Sequence, residues 1–147
     1  KGQGAKVLAD VADMRARLAA AKPGEGDWDA KFGPGKLMDI ELLAQTMALI
    51  AASPARQVER QIAAGGNAGK LSQSDQTVLL DAYRLCWRLQ AASRLLSDKP
   101  LEPEALGIGG RAFLLRETGQ DSAAALTERL AQVTGLARAV IAAHLEG

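Results

Sequence analysis

The sequence predicts an all-α bundle of five to six helices arranged around one long central helix, and three observations carry that reading. Alanine and leucine dominate a chain that is 48% hydrophobic but only 3% aromatic, a composition that favours close-packed helices over sheets. Apolar residues recur at spacings of three and four along most of its length. Glycine and proline clusters cut that pattern into helix-sized segments, and no stretch alternates with period two or repeats internally. At 147 residues the chain is long enough for one domain with a core, and residues 1–147 read as a single helical domain.

The first helix is expected from about Ala5 to Lys22. Val7, Val11, Met14 and Leu18 form its apolar face, and Pro23-Gly24 ends it. Residues 23–36 are a Gly/Pro-rich loop holding Trp28 between Asp27 and Asp29, a tryptophan read as an anchor into a groove. A second helix runs from roughly Leu37 to Ala52. Leu37, Ile40, Leu43, Ala44, Met47, Ile50 and Ala51 share one face, while Met38, Leu42 and Leu49 fall near the opposite side. A helix apolar nearly all round is covered on both sides, which points to a neighbour outside the bundle. Ser53-Pro54 reads as N-cap and first turn of a third helix to about Ala64.

Gly65 to Gly69 reads as a loop. It is no phosphate cradle, because no strand precedes it and the Lys-hydroxyl pair of a P-loop is missing. Ser72 and Asp75, at capping-box spacing, open the long central helix, which reaches about Ser97 and carries Asp81, Arg84 and Arg88 on one ridge. After Pro100 and Pro103 a short helix spans Gly110 to Thr118 and stops at Gly119. Asp121 is expected to cap a final helix to about Leu145, with Leu126, Leu130, Val133, Ala137, Val140 and His144 as its seam.

Charge excludes some functions. Eighteen basic residues against 17 acidic, net +1, give no electrostatic case for nucleic-acid binding. The single cysteine, Cys86, rules out an internal disulfide and fits a reducing, cytoplasmic setting. No apolar run is long enough to span a membrane, and no signal peptide is recognisable.

Few residues point to chemistry. His144 is the only histidine and lies in a last helical turn without a metal-ligand set, so it reads as a packing residue or weak cap. Cys86 sits in an apolar helix and reads as a structural thiol. Glu41 and Gln45, four apart, share one flank of the second helix. Asp39 projects about 160° from Glu41, so the two do not form a paired-carboxylate metal site. Asp39 suits the positive end of the helix dipole. Two readings of the Glu41 flank stay open: an ion pair with Arg84 or Arg88, or a wall of an active-site cleft. No catalytic residue and no metal ligand is assigned.

The stretch Lys31-Phe-Gly-Pro-Gly-Lys-Leu-Met-Asp-Ile-Glu-Leu-Leu-Ala-Gln45 resembles the signature Lys-x-x-x-Gly-Gly-(Leu/Ile)-x-(Asp/Glu)-Ile-Glu-Phe-x-x-Gln of glutamine synthetase adenylyltransferases. In those enzymes it opens the helical domain after a nucleotidyltransferase core, a domain similar to that of PII uridylyltransferases. Asp10-Val-Ala-Asp-Met-Arg15 is similar to a family "VxxMR" helix, and Leu80-Asp-Ala-Tyr-Arg-Leu-Cys-Trp-Arg-Leu89 to its "L-x-x-A-Y-x-x-x-x-R-L" helix. Lys36 replaces the second glycine of the pair and Leu42 the usual Phe. The resemblance implies a parent that transfers AMP from ATP, with magnesium, to a tyrosine of glutamine synthetase. A second half removes AMP, and PII and glutamine set the balance.

Because this chain lacks the Gly-Ser core motif, it is expected to bind no cofactor itself and to be inactive alone. It is expected to be a fragment of the multidomain enzyme, from its C-terminal, adenylylating half, since it stops just after a complete final helix. The resemblance places Lys31, Gly35, Asp39, Glu41, Gln45 and Arg88 near the cleft or a domain interface. Met38, Leu42 and Leu49 are then the stripe that docks the catalytic domain. The competing readings are a non-catalytic module that binds PII or the synthetase, and a plain spacer between catalytic halves.

Overall fold

The computed structural model describes residues 2–21, 24, 26–99 and 101–145, with side chains from Lys6 onward. Its helices are α1 (Gly2–Ala21), α2 (Leu37–Ile50), α3 (Val58–Asn67), α4 (Gln73–Leu96), α5 (Ile108–Thr118) and α6 (Ala123–Leu145), with a 3-10 turn at Pro103–Ala105. No strand occurs among the described residues, so the protein is an all-α bundle. The expected end of α1 at Lys22 and Pro23 lies outside the described residues.

α4 is the longest helix and packs against α2, α3, α5 and α6. It shares the centre with α2, which packs against α1, α3, α4 and α6. Ile40 and Leu43 of α2, Leu79 and Leu89 of α4, and Leu126, Leu130 and Ile141 of α6 interlock in one core with almost no solvent contact. Each such side chain contributes about 1.5–3 kcal/mol of apolar burial.

Several elements depart from the expected pattern for identifiable reasons. On α1, Met14 is exposed, and the position one turn after Val11 belongs to half-buried Arg15, whose guanidinium has a carboxylate partner. Ser53 does not cap α3. Its N–H donates to Ala48 O at 2.8 Å and thereby finishes α2 in a Schellman-type turn, with Ala52 in the left-handed region (φ 53°) where glycine is usual. α3 then begins at Val58 behind Gln57.

Gly65 and Gly66 are not loop residues but lie in the last turn of α3. A methyl group on Gly65 would stand 3.0 Å from Met47 and Leu71 side-chain atoms, so glycine there lets α3 approach α2 closely. Ser72 caps α4 as expected, its hydroxyl accepting from Asp75 N at 3.0 Å. At α6 the cap is Ser122, accepting from Ala125 N, rather than Asp121. The α6 seam follows Leu126, Leu130, Val133 and Ala137, then passes to buried Ile141 and Leu145 while Val140 and His144 are half-buried. A straight helix drifts about 20° per heptad from a 3.5-residue repeat, which moves the seam by one residue over this length.

Candidate functional site

The loop before α2 is a built structure. Asp29 is buried, and its Oδ1 accepts from Lys31 N (3.0 Å) and Phe32 N (3.2 Å), a side-chain-closed turn. Ala30 O and Lys31 O accept from Leu37 N and Met38 N, both at 3.0 Å, so loop carbonyls satisfy the first amides of α2 in place of a side-chain cap. Trp28 is 1% exposed and its indole Nε1 donates to Thr127 Oγ1 at 2.9 Å. It is the expected groove anchor, and the groove is on α6.

Asp39 is the hub of this corner. Arg15 Nε donates to its Oδ1 at 2.6 Å and Arg15 Nη2 to its Oδ2 at 3.0 Å, a two-pronged guanidinium–carboxylate fork between α1 and α2. Gly35 N donates to Oδ2 at 2.8 Å and ties the loop to the same carboxylate. Gly35 has φ 74°, and a Cβ there would run into the Thr134 carbonyl oxygen and stand 2.9 Å from Arg138 N. Glycine is needed at this residue both for the backbone conformation and for the approach to α6. Lys36, by contrast, is extended at φ −96°, which any residue adopts, so the lysine in place of a second glycine leaves the loop unstrained.

A cleft of about 270 Å³ opens beside this hub, between α1, the loop at Phe32 to Pro34, Met38 and Arg138. Its carboxylate already accepts three hydrogen bonds and sits against a cation, so it is suited to fixing geometry rather than to holding a metal. Among the described residues no three His, Cys, Asp or Glu side chains cluster at metal-binding range. The donor set here does not fit a magnesium–nucleotide centre, and no chemical step is assigned to one in this chain.

The residues singled out in the sequence separate into two neighbourhoods. Gly35 and Asp39 meet in the α1–loop–α2 corner, with Met38 half-buried beside them. Glu41 faces the other way, into a groove it shares with Arg84 and Arg88. The ion pair formed there is Arg84 Nη2 to Glu59 at 3.1 Å, not the expected one to Glu41. Burial pushes the Glu41 carboxyl above its ordinary value, opposed by the charge of Lys31. Gln45 is exposed one turn further on.

Lys31 is half-buried with its ammonium 5.2 Å from the Phe32 ring centre. On the stripe, Leu42 is half-buried and Leu49 is 67% exposed. His144 Nε2 lies 3.3 Å from Asp75 Oδ2, linking the end of α6 to the start of α4. Cys86 is fully buried, and burial pushes its thiol up to about 12, so it is no nucleophile at neutral pH. Sequence reasoning missed Arg15 as the partner of Asp39. The available signal was an arginine standing four residues after Val11, on the apolar seam.

No family model matches the chain, and no solved structure matches it. Similar curated proteins do exist. A bifunctional glutamine synthetase adenylyltransferase/adenylyl-removing enzyme of Caulobacter vibrioides is 33% identical over 97% of this chain and 15% of its own length. Enzymes of the same name from Rhodopseudomonas palustris (strain HaA2) and Bradyrhizobium diazoefficiens are 34% and 30% identical over 92% and 97% of this chain. The chain spans only 15%, 14% and 15% of these three relatives, one region of a far longer enzyme. By sequence it is homologous, over nearly its whole length, to one region of the bifunctional glutamine synthetase adenylyltransferase/adenylyl-removing enzymes.

Proposed function

We propose that this chain is the helical accessory domain that packs beside a nucleotidyltransferase core, orienting that core and shaping its cleft during AMP transfer to, or removal from, glutamine synthetase. The observation that carries the reading is the Arg15–Asp39–Gly35 hub. It fixes the motif helix α2 between α1, the loop and α6 while leaving the flank bearing Leu49 open to a neighbour. On that flank Leu49 is 67% exposed and Leu42 half-buried, and a docked neighbour would take this apolar surface out of water. ATP and magnesium then belong to the adjacent core. The core, glutamine synthetase and the PII signal protein are the proposed partners, in the cytoplasm.

The test is Leu49→Asp in the full-length enzyme. Adenylyl transfer to glutamine synthetase should fall about tenfold, the effect of losing roughly 1.4 kcal/mol of docking, while the 147-residue chain carrying the same change keeps its helical content. Unchanged transfer activity would refute the docking role. The 147-residue chain alone, given ATP, magnesium and glutamine synthetase, should transfer no AMP.

A further inference from the structure

On the face away from the Asp39 hub, α3 and α4 enclose an open groove of about 790 Å³. Arg56 and Arg60 line it from α3 and the segment before it, and Tyr83, Arg84, Trp87 and Arg88 from α4. Four arginines there face two glutamates, Glu41 and Glu59, a formal surplus of two positive charges in a chain whose net charge is +1. Among the described residues the ion pair in the groove joins Arg84 and Glu59, with both side chains about half exposed. The first turn of α3 forms part of the wall, and its positive dipole end adds to the field.

The aromatic lining is equally unusual. Trp87 is 55% exposed, although the chain has two tryptophans and the other is 1% exposed. Arginine, tryptophan and tyrosine are the residues enriched at protein interfaces and at the few positions that dominate their affinity. The surface is also extended. Arg84 and Arg88 line a second hollow on their far side, where Arg129 of α6 and Asp81 stand, so a basic strip crosses from α3 over α4 to α6. A mononucleotide or a free phosphate uses one hollow, whereas a strip across three helices suits a polypeptide.

We propose that this groove binds an acidic polypeptide segment of a partner protein, its carboxylates on Arg56, Arg60 and Arg88 and one apolar side chain against Trp87 and Tyr83. The site is separate from the Leu49 flank, and its test uses the 147-residue chain alone, so its failure leaves the core-docking reading untouched.

Trp87 provides the readout, because Trp28 is shielded from solvent and Trp87 is not. The probe is a glutamate-rich peptide with one central leucine, titrated at low salt while tryptophan emission is followed. Saturable quenching with a blue shift is expected, weakening as salt rises. The double variant Arg60→Glu/Arg88→Glu should weaken binding by about tenfold or more, and Arg17→Glu on α1, an equal charge change per site elsewhere, should not. Circular dichroism confirms that each variant remains helical, and Trp87→Phe should abolish the optical change while leaving binding measurable by peptide anisotropy. Binding that ignores the double variant overturns the proposal, as does the absence of any saturable change. Displacement of the peptide at equal concentration by inorganic tripolyphosphate or by a single-stranded oligonucleotide also overturns it, in favour of a general polyanion site.

Discussion

Arg15 and Asp39 meet with side chains 15% and 8% exposed, whereas Arg84 and Glu59 meet with 51% and 52% exposed. Both are arginine–carboxylate pairs between helices distant in sequence, and both flank the motif-bearing half of the bundle. In the first, the carboxylate accepts a two-pronged fork and a backbone amide, and water has little access to replace them. In the second a single contact of 3.1 Å stands in solvent. The same chemistry therefore holds structure at one place and stays available for exchange at the other, with burial deciding which.

Breaking the buried pair is the sharpest way to test that contrast. Asp39→Ala removes the two-pronged fork to Arg15 and leaves Gly35 N without its carboxylate, and should lower unfolding stability by about 3 kcal/mol, the low end for breaking a buried pair, read as a shift of the urea midpoint. Asp39→Asn keeps the shape and one acceptor and should lose less. Gly35→Ala comes next, because it strains the backbone and pushes the loop off α6; about 2–3 kcal/mol is expected, with Trp28 emission moving to the red as the anchor loosens. A loss no larger than that of a surface glycine would show that the loop yields freely.

Trp28→Phe removes the bond to Thr127 while keeping most of the apolar body, and should cost about 1–1.5 kcal/mol. At the exposed pair, Arg84→Ala should change stability by no more than about 0.5 kcal/mol. A loss comparable to that of Asp39→Ala would show that the exposed pair holds structure as the buried one does. Glu41→Gln should show the smallest effect, and a pH-dependent one. Burial makes the folded chain hold that proton more tightly than the unfolded chain does, so the stabilisation is complete below the ordinary 4.5 and is lost as pH rises through the raised folded value. Glu41→Gln should therefore be slightly more stable than the parent at neutral pH, and the advantage should vanish towards pH 4, as followed by thermal melts across that range.

The fold class was legible because helix periodicity and Gly/Pro punctuation are local signals. The Ser72 cap, the Gly119 stop and the Trp28 anchor all follow from residues read in their own neighbourhood. What the sequence hid was set by distant partners. Ser53 carries a good capping side chain, yet its amide is committed to the end of α2. Gly65 has the composition of a loop, yet close packing on Met47 keeps it helical. The candidate site was half legible. Asp39 and Gly35 stand out in the motif, but Arg15 lies 24 residues away from Asp39 and only the packing of α1 on α2 brings it there. Of the two readings left open for the Glu41 flank, the fold brings Glu41 into one groove with Arg84 and Arg88, while the ion pair formed there joins Arg84 to Glu59 of α3.

The seating of the loop on α6 has a consequence for the order in which the molecule assembles. Trp28 finds its partner 99 residues later in the chain, and Gly35 must fit against the backbone at Thr134. Contacts of such sequence separation form late, because the intervening chain must first be closed. During synthesis the motif helix can emerge and pair with α3 and α4 early, but the corner around Asp39 lacks its α6 wall until the last helix has left the ribosome. A nascent chain stalled within α6 should thus show native-like helix content with Trp28 still accessible to a quencher, and should lose that accessibility only once Thr127 and Thr134 are free to dock.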